Sequence, residues 1–405
     1  MSSLRGVLLI MQSGGSSPVI NATLAGALAE AQRYNCFHAV YGARHGVEGI
    51  LSETLIDLSR DLDLHALART PAAALGTSRH KLRDDDYERL FTALRAHNIR
   101  FVLQIGGNGS MFVCHRIAQA AETFSYPLLV AGAPKTIDND IAATDHSPGF
   151  GSAARFLALA ARDTGRDLEA MATFDSVSIL EAMGRDAGWL AASSALLRHD
   201  PEDAPHLVYV PEIPFEEDRF LDAVSAAYAR LGRVFVVVAE GLRDAAGVPI
   251  GQEANSAADS MGRPIFTLGA GVSAYLARRV RERLSLQART LRPGLIGRSL
   301  SACLSEIDVS EAWRVGVEAV RQMAQDRTDF MVTLERLSTV PYLARTGTIP
   351  LEQVFNREKR LPRAYMNEAG TMVTPEFISY AAPLIGEMPP PLVRLPNRSI
   401  PKKLF

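Results

Sequence analysis

The amino-acid sequence predicts an α/β fold with mainly parallel sheets, and three observations lead to this prediction. Apolar runs typical of strands alternate with segments of helical spacing along most of the chain, and such alternation implies parallel sheets with right-handed crossovers. Three of the predicted strands end in glycine-rich or charged loops, at the sheet edge where ligands bind in folds of this class. The chain has 405 residues and is 47% hydrophobic, so two domains with substantial cores are expected.

Short apolar runs predict the strands, and apolar residues at helical spacing predict the helices between them. Residues 7–11 are all apolar, as in strands that are buried on both faces of a parallel sheet. The predicted strands, in chain order, cover residues 7–11, 37–41, 101–105, 127–132, 176–180, 206–210 and 233–240. The predicted helices cover residues 19–33, 87–97, 110–122, 151–170, 186–198, 216–231, about 268–285 and 308–325.

Two segments depart from this alternation. Residues 47–83 are polar and mixed in character, which predicts loops and a short helix. The last 17 residues contain five prolines, at positions 389, 390, 391, 396 and 401. Because proline lacks the amide hydrogen of a helix interior, this tail is expected to lie extended across the surface.

The most informative stretch follows the predicted strand at 127–132. Lys135, Thr136, Asp138 and Asp140 supply one cation, one hydroxyl and two carboxylates within six residues. A carboxylate beside a cation at the carboxyl end of a strand indicates proton abstraction from a hydroxyl next to an anionic group. The alternative is a polar turn, in which Asp138 caps a helix and the neighbouring Asn tolerates a turn conformation.

Two further strand ends carry glycine-rich loops. The first, residues 12–21, contains Gly14 and Gly15 and is followed by Pro18, which can open a helix. The second, residues 106–110, reads Gly-Gly-Asn-Gly-Ser. Paired glycines let the backbone approach a ligand closely, and a helix N-terminus offers unpaired amides to an anion. Tight turns also use glycine without a ligand, and neither loop fits the P-loop or the dinucleotide pattern.

Composition excludes several other classes of protein. The net charge of -2 provides no basic field that would attract nucleic acid. No apolar run approaches the roughly 18 residues of a membrane span, and the N-terminus does not have the pattern of a signal peptide. The three cysteines, Cys36, Cys114 and Cys303, are widely spaced. They argue against a disulfide framework or a Cys-based metal site and fit a reducing cytoplasm.

The three loops, with four later segments, resemble the phosphofructokinase family over nearly the whole chain. Residues 14–21 and 106–110 look like the two phosphate loops of the family, and residues 136–140 look like its catalytic segment. Further segments resemble its sugar-phosphate segment (181–189), a further sugar contact (239–241) and, in two places, its pyrophosphate-using bacterial branch (146–154 and 366–384).

The resemblance implies two Rossmann-like lobes with mainly parallel sheets, an active site in the cleft between them and a C-terminal extension. Residues 1–140, with part of 290–340, would form the lobe that binds the phosphoryl donor. Residues 141–289 would bind fructose 6-phosphate, and residues 341–405 would be the extension with its proline-rich tail. The implied reaction is phosphoryl transfer from pyrophosphate to the 1-hydroxyl of D-fructose 6-phosphate, giving fructose 1,6-bisphosphate and phosphate in glycolysis.

The resemblance also implies roles for individual residues. Asp138 would take the proton from the hydroxyl, Lys135 and Arg185 would stabilise the transferred group, and Thr136 would bind both the sugar and that group. The implied substrate-binding residues are Thr136, Ile137, Asp138, Met183, Gly184, Arg185, Glu240, Arg289 and Arg298, of which the last two would grip the 6-phosphate. The implied donor-binding residues are Gly15, Arg79, Gly107, Asn108, Gly109 and Ser110. The implied cofactor is Mg²⁺, held by Asn108, Asp138 and Asp140.

The chain departs from the family at four positions. Asn108 stands where many members have a magnesium-linked Asp, although Asn occurs there in the pyrophosphate-using branch. Gly109 is the residue of ATP users. Ser176 lies where an Arg or Lys often helps to bind the 6-phosphate, and Leu295 replaces a common His or Tyr.

The donor therefore has two candidates. In the family, a Lys at the position of Lys135 occupies space that an ATP α-phosphate would need, and it stabilises pyrophosphate as it splits. Gly109 favours ATP, because pyrophosphate users usually have Asp there. The segments at 146–154 and 366–384 favour pyrophosphate, and ATP remains the alternative donor.

An alternative of another class is a catalytically silent regulatory subunit that binds a sugar phosphate. The presence of Asp138, Thr136 and Arg185 argues against it, and the segments at 134–140 and 181–189 argue against a lipid or nucleotide kinase. The resemblance implies a cytoplasmic homo-oligomer, dimer or tetramer, in which arginines near residue 289 reach across an interface to the sugar phosphate. No nucleic-acid or membrane partner is expected.

Overall fold

The computed structural model describes residues 3–78, 80–251, 271–355, 357–396 and 398–403, and the strands in these ranges form two sheets. The strands are β1 (Gly6–Gln12), β2 (Phe37–Ala43), β3 (Leu55–Asp57), β4 (Ile99–Gly106), β5 (Leu129–Pro134), β6 (Val177–Ala182), β7 (Leu207–Tyr209), β8 (Val234–Ala239), β9 (Ala288–Leu291), β10 (Phe330–Thr339) and β11 (Tyr342–Pro350). The helices are α1 (Ile20–Ala31), α2 (Val47–Leu51), α3 (Leu64–Arg69), α4 (Asp84–Ala96), α5 (Asn108–Thr123), α6 (Phe150–Ala170), α7 (Trp189–Ser193), α8 (Glu217–Leu231), α9 (Gly271–Leu284), α10 (Glu306–Met323) and α11 (Pro375–Ala381).

The larger sheet has the strand order β11-β10-β5-β4-β1-β2-β3. Its central strands are parallel: β1 pairs with β2 and β4, and β4 pairs with β5. The two edge strands, β3 and β11, are antiparallel to their neighbours. Because β1, β4 and β5 run in one direction, their carboxyl ends lie at the same edge, and this edge carries both glycine-rich loops and the segment that begins at Lys135.

The smaller sheet has the order β7-β8-β6-β9, and all of its strands are parallel. Ala182 at the end of β6 pairs with Ala239 at the end of β8, so the loops that follow these two strands begin side by side. The structure therefore confirms the predicted α/β class with mainly parallel sheets in two Rossmann-like lobes.

Hydrophobic clusters cover both faces of each sheet. Helices α4 and α5 pack on one face of the larger sheet, and α1 and α10 pack on the other. Two glycines let α1 and α10 approach closely, because a Cβ on Gly26 would lie 2.1 Å from the carbonyl oxygen of Trp313, and one on Gly316 would lie 2.0 Å from that of Thr23. No helix within the described ranges is long and apolar enough to cross a membrane.

The predicted helix at 186–198 is shorter in the structure, where α7 covers only Trp189–Ser193. The hydroxyl of Ser193 donates to the carbonyl oxygen of Trp189 (2.7 Å), and that of Ser194 donates to the carbonyl oxygen of Ala191 (2.6 Å). Such side-chain bonds compete with the backbone bonds that would continue a helix. The predicted helix at 268–285 begins at Gly271 in the structure, because residues 268–270 lie outside the described residues.

Several elements had no counterpart in the sequence prediction. These are β3, β9, the β10–β11 hairpin and α11. β11 lies within the segment 341–405 that was predicted as an extension, and it pairs with β10 along nearly its whole length. The backbone bonds of this hairpin therefore place the first part of that segment in the larger sheet. The proline-rich tail has no regular secondary structure in its described part and is mostly exposed, as expected.

Candidate active site

The candidate site lies where the carboxyl ends of strands from both sheets meet. β5 in the larger sheet leads into residues 135–140, while β6 and β8 in the smaller sheet lead into residues 183–188 and Glu240. The backbone N–H of Glu240 donates to the carbonyl oxygen of Ala182 (2.9 Å). The carboxylate of Glu240 accepts a hydrogen bond from the N–H of Gly184 (3.3 Å). These bonds join the two loops of the smaller sheet.

The turn after β6 is tightly constrained around Arg185. Gly184 has a φ of 118°, a conformation that other residues rarely adopt, and a Cβ there would lie 2.5 Å from the carbonyl oxygen of Ala187. A Cβ on Gly241 would lie 1.7 Å from the carbonyl oxygen of Arg185. The loops after β6 and β8 therefore pack directly on each other, which limits the freedom of the Arg185 backbone.

Asp138 is a half-buried residue at the centre of the site, and its Oδ1 atom is fully buried. Burial and the nearby carboxylates of Asp140 and Glu240 raise its pKa to about 7, although the charges of Arg185 and Lys135 act in the opposite direction. The two predicted cations and the acid predicted to bind the sugar therefore lie within electrostatic range of the predicted base. A general base works best when its pKa lies near the operating pH.

Lys135 connects the catalytic segment to the first glycine-rich loop. Its ammonium donates a hydrogen bond to the carbonyl oxygen of Gly15, and Nζ lies 3.4 Å from the position that a Cβ on Gly14 would occupy. Burial and the neighbouring Arg298 lower the pKa of Lys135 to about 8, while Asp140 and Asp138 oppose this shift. The ammonium thus fills the space beside the loop predicted to face the donor.

The second glycine-rich loop forms the first turn of α5, with Gly107 preceding its first residue, Asn108. The hydroxyls of Ser110 and Ser13 are 2.5 Å apart, which connects the two glycine-rich loops. The side-chain NH₂ of Asn108 donates to the carbonyl oxygen and the carboxylate of Asp140 (3.3 and 3.4 Å). The predicted donor residues Gly107, Asn108, Gly109 and Ser110 therefore lie next to the catalytic segment.

Three buried side-chain oxygens in this site have no hydrogen-bond partner: Asn108 Oδ1, Asp138 Oδ1 and Asp140 Oδ1. Leaving a buried polar atom unpaired is costly, so a ligand is expected at these atoms. Two carboxylates and an amide oxygen are donors that Mg²⁺ accepts. No group of three or more His, Cys, Asp or Glu side chains in the described part of the chain could hold a metal ion.

The structure brings together most of the predicted substrate residues. Ile137 is buried in the core cluster beneath the catalytic segment, and Met183 packs against the same cluster. Thr136 accepts a hydrogen bond at Oγ1 from the backbone N–H of Asp138 (3.2 Å). Arg79 lies outside the described residues, so its predicted place beside the donor stays a prediction.

The two arginines predicted for the 6-phosphate occupy different surroundings. Arg289 lies on β9 at the level of Ser178, well before the carboxyl end of β6, and its exposed side chain pairs with Asp175 (2.6 Å). Arg298 lies beside Gly15, whose added Cβ would be 2.8 Å from its Nη1. Within one chain, Arg289 is therefore apart from the cluster, and Arg298 lies at the first phosphate loop. Their assignment to the 6-phosphate stays a prediction.

His146 lies outside the catalytic cluster. Its ring nitrogens are 2.8 Å from Asp145 and 2.6 Å from Glu311, and the ring is fully buried. Arg336 pairs with Asp145, and the ring of Tyr342 lies 6.5 Å from the imidazole. Burial alone lowers the pKa of His146, but the two carboxylates raise it above its ordinary value. This geometry indicates a buried ion-pair network that supports the fold.

Sequence reasoning did not identify the groups that support the site. Asn139 contacts Lys359 and Tyr380, which lie more than 200 residues away along the chain. Arg292 pairs with the buried Glu181 (3.1 Å), and its positive charge also favours the ionised form of the Glu240 carboxyl group. A signal for Tyr380 was present, because it falls in the segment 366–384 that resembles the pyrophosphate-using branch. Lys359 lies outside that segment, and the residues around it did not indicate a role in the site.

Comparison with known proteins gives a consistent result. Residues 7–323 match the family profile described as phosphofructokinase. The chain is 40% identical to the pyrophosphate–fructose 6-phosphate 1-phosphotransferase of Xanthomonas campestris pv. campestris (strain B100), over 98% of each chain. The crystal structure of the pyrophosphate-dependent phosphofructokinase from Marinobacter aquaeolei has a TM-score of 0.85, with 32% identity over 98% of each chain.

Relatives with other printed activities are less similar. The chain is 34% identical to a sulfofructose kinase of Alkalicoccus urumqiensis, over 89% of this chain and 91% of the relative. It is 28% identical to the ATP-dependent 6-phosphofructokinase of Mycobacterium tuberculosis (strain ATCC 25618 / H37Rv), over 89% and 97% of the two chains. The similarity therefore decreases from proteins named for pyrophosphate to those named for ATP.

Proposed function

The chain belongs to the phosphofructokinase family, and we propose that it transfers a phosphoryl group from pyrophosphate to the 1-hydroxyl of D-fructose 6-phosphate. The products are fructose 1,6-bisphosphate and phosphate. The observation that carries this proposal is the cluster in which Asp138 lies within electrostatic range of Lys135, Arg185 and Glu240. The full-length similarity to proteins named for this reaction supports the choice of substrates.

Asp138 acts as the base in this scheme. It accepts the proton of the 1-hydroxyl as the hydroxyl oxygen attacks the transferred phosphorus. Its carboxylate lies within electrostatic range of both cations of the site, and one of its oxygens has no partner within the protein. Thr136, two residues earlier, holds the backbone of Asp138 by the bond to its N–H and offers its hydroxyl to the sugar or the transferred group.

Lys135 and Arg185 stabilise the negative charge of the group in transfer. Phosphoryl transfer depends mainly on positioning and charge stabilisation, and fixed cations in a water-poor site contribute strongly. Lys135 directly follows β5 and contacts the first phosphate loop, and Arg185 lies in the tight turn after β6. Because the two cations come from different sheets, the transferred group would be held between the lobes.

The sugar is proposed to bind along the loops of the smaller sheet. Glu240 would accept hydrogen bonds from sugar hydroxyls, while it also fixes the turn through the N–H of Gly184. Met183 would form the apolar side of the pocket, and Arg289 and Arg298 are proposed for the 6-phosphate. Since Arg289 is apart from the cluster in one chain, its role would need a second subunit, which motivates the proposed homo-oligomer.

Asn108, Asp138 and Asp140 would hold Mg²⁺, since their unpaired oxygens fit its preference for oxygen ligands. When bound, the ion would neutralise charge on the donor oxygens. Even without the ion, Asn108 keeps Asp140 in place through its side-chain NH₂. An assay with and without EDTA tests this assignment.

The domain boundaries and the location also remain proposals. Residues 1–140, with part of 290–340, are proposed as the donor lobe and residues 141–289 as the sugar lobe. Residues 341–405 are proposed as the extension, although its first strand, β11, belongs to the larger sheet. The cytoplasm is the proposed location, because the three cysteines are all buried and unpaired. Light scattering tests the assembly, and a fully active monomer near 43.9 kDa would contradict a site shared between subunits.

The direct test of function is turnover of fructose 6-phosphate with pyrophosphate and Mg²⁺, measured by coupling fructose 1,6-bisphosphate to aldolase. The reverse reaction, from fructose 1,6-bisphosphate and phosphate, is expected to proceed as well. ATP in place of pyrophosphate examines the alternative donor. Absence of product with either donor would favour the silent regulatory subunit.

A further inference from the structure

The C-terminal segment reaches back to the catalytic loop, although it lies far away in sequence. The backbone N–H of Lys359 donates to the carbonyl oxygen of Asp140 (2.8 Å), and Glu358 forms an isolated β-bridge with Ile141. Residues 358–359 of the C-terminal segment thus pair with residues 140–141 in the manner of an additional strand. The C-terminal segment, which is not part of either phosphate loop, therefore fixes the backbone of the catalytic loop.

Asn139, between the two carboxylates, is the centre of this contact. It has a φ of 54°, and its side chain is fully buried. Its amide NH₂ donates to the hydroxyl of Tyr380 (2.9 Å), and its amide oxygen accepts from the N–H of Ser147 (3.1 Å) and the ammonium of Lys359 (3.5 Å). The side chain is therefore held at both ends, which orients the peptide planes on either side of it.

Lys359 connects this loop to the other half of the site. Its ammonium donates to the carbonyl oxygen of Asp145 and lies 4.8 Å from the ring of Trp189, a contact of the cation–π type. Its carbonyl oxygen accepts a hydrogen bond from the indole N–H of Trp189 (2.9 Å). Trp189 is the first residue of α7, directly after the turn that carries Arg185. Lys359 thus contacts both the loop that carries Asp138 and helix α7, which follows the turn that carries Arg185.

The hydroxyl of Tyr380 completes the arrangement. It donates to the carbonyl oxygen of Asp145 (2.7 Å), which also accepts the bond from Lys359. Arg336 bonds to the carbonyl oxygen of Tyr380 (2.9 Å) and stacks on its ring at 4.6 Å. The aromatic ring is therefore fixed by β10. Lys359 and Tyr380 both donate to the carbonyl oxygen of Asp145, and both bond to the side chain of Asn139, whose oxygen accepts from Lys359 and whose NH₂ donates to Tyr380.

We propose that Lys359, together with Tyr380, is a positioning residue for phosphoryl transfer. It holds the loop of Asp138 and Asp140 in a fixed relation to the turn of Arg185, so that base and cation meet the substrate together. The inference rests on the proposed function, but none of its contacts involves a substrate. Misplacement of a catalytic group by about 1 Å can cost about 100-fold in rate, so loss of the ammonium is expected to lower kcat.

The test compares Lys359→Met with the parent at saturating pyrophosphate, fructose 6-phosphate and Mg²⁺. Methionine keeps an unbranched chain of similar length and removes only the charge and its donors. We expect kcat to fall at least about tenfold, with both KM values within about threefold of the parent. Lys402→Met, in the exposed tail, is the matched control and is expected to leave kcat unchanged.

Two further variants separate positioning from general support of the fold. Lys359→Arg keeps a cation and is expected to recover a large part of the lost kcat. Tyr380→Phe removes a single hydroxyl and is expected to lower kcat about fivefold, and the double variant Lys359→Met/Tyr380→Phe is expected to lose much less than the product of the two effects. If Lys359→Met does not fold, Tyr380→Phe alone decides the matter by the same kcat criterion.

The proposal is overturned if kcat stays within about twofold of the parent in the folded single variants, or if the two effects multiply fully. It is also overturned if the loss appears only in KM, with kcat unchanged. The parent assay is performed first. A parent without turnover refutes the proposed function, whereas an active parent with an unaffected Lys359→Met refutes only the positioning role.

Discussion

Asp138→Asn should have opposite effects on turnover and on stability, and both follow from the burial of this carboxylate. Asparagine has nearly the same shape but cannot accept the proton of the 1-hydroxyl. A positioned base contributes about 10² to 10⁴ in rate, or about 3 to 5 kcal/mol of transition-state stabilisation. Turnover should therefore fall by that factor, while fructose 6-phosphate binding is largely retained because Arg185 and Glu240 are unchanged.

The stability effect has the opposite sign. Burial, with the charges of Asp140 and Glu240, raises the pKa of Asp138 from 3.8 to about 7, so folding favours its protonated form. An acid with a raised pKa loses stability as the pH rises from its unfolded pKa to its folded one, and the loss is complete above pH 7. A rise of this size corresponds to a cost on the order of 4 kcal/mol at pH 8. Asparagine carries no charge, so the variant avoids this cost. Part of the gain in the free energy of unfolding is offset because the side-chain amide of the asparagine is itself unpaired.

The expected rise in Tm can be bounded. With an unfolding entropy of about 2.1 cal/mol/K per residue, 4 kcal/mol in a chain of 405 residues corresponds to at most about 5 °C. Thermal unfolding is measured at pH 8 in EDTA, and turnover is measured with Mg²⁺ at saturating substrates. Asp85→Asn, on the exposed start of α4, is the control and should change neither quantity. A variant that keeps more than half of the parent turnover, or that melts at a lower temperature, would refute the reasoning.

Three other predictions test different parts of the site and its support. Lys135→Gly should lower kcat/KM for pyrophosphate by at least about 100-fold, because it removes the cation that stabilises the transferred group. It should raise kcat/KM for ATP, because Gly109 leaves space for the nucleotide. An unchanged kcat/KM for pyrophosphate would contradict this prediction. His146→Gln should flatten the pH dependence of Tm. The two carboxylates that face His146 raise its pKa, so the protonated imidazole stabilises the fold fully below about pH 6.5. This stabilisation is lost as the pH rises through the raised pKa, by at most about 1.4 kcal/mol per pH unit. Identical Tm–pH slopes in parent and variant argue against that network. Gly241→Ala should displace the backbone of Arg185, since its Cβ would lie 1.7 Å from that carbonyl oxygen, and should lower kcat more than about tenfold; a parent-like kcat contradicts it.

The sequence predicted the core of the fold because the central strands are buried on both faces. Residues 7–11 of β1 and all residues of β8 are apolar, and a continuous apolar run between turn residues is a clear signal. The β10–β11 hairpin was missed because β11 is a partly exposed edge strand with a polar sequence. α7 was predicted too long because the serines that end it are compatible with helical spacing, although their hydroxyls bond to the backbone and compete with the helix.

The candidate site was predictable where it depends on local order along the chain. Residues 135–140 and 183–185 follow strands directly, so their place at the sheet edge follows from the strand prediction. The support of the site was not predictable in this way. Lys359 and Tyr380 reach Asn139 across 220 and 241 residues, and such contacts depend on how the C-terminal segment packs after the sheets have formed.

The donor preference of the unmodified protein tests the central claim most directly. The measurement is kcat/KM for pyrophosphate and for ATP, each with saturating fructose 6-phosphate and Mg²⁺. Because the buried ammonium of Lys135 fills the space beside Gly14 and Gly15, pyrophosphate is predicted to be the better donor. If the protein instead uses ATP at least about tenfold better, a difference of about 1.4 kcal/mol in transition-state binding, the assignment of the donor is contradicted.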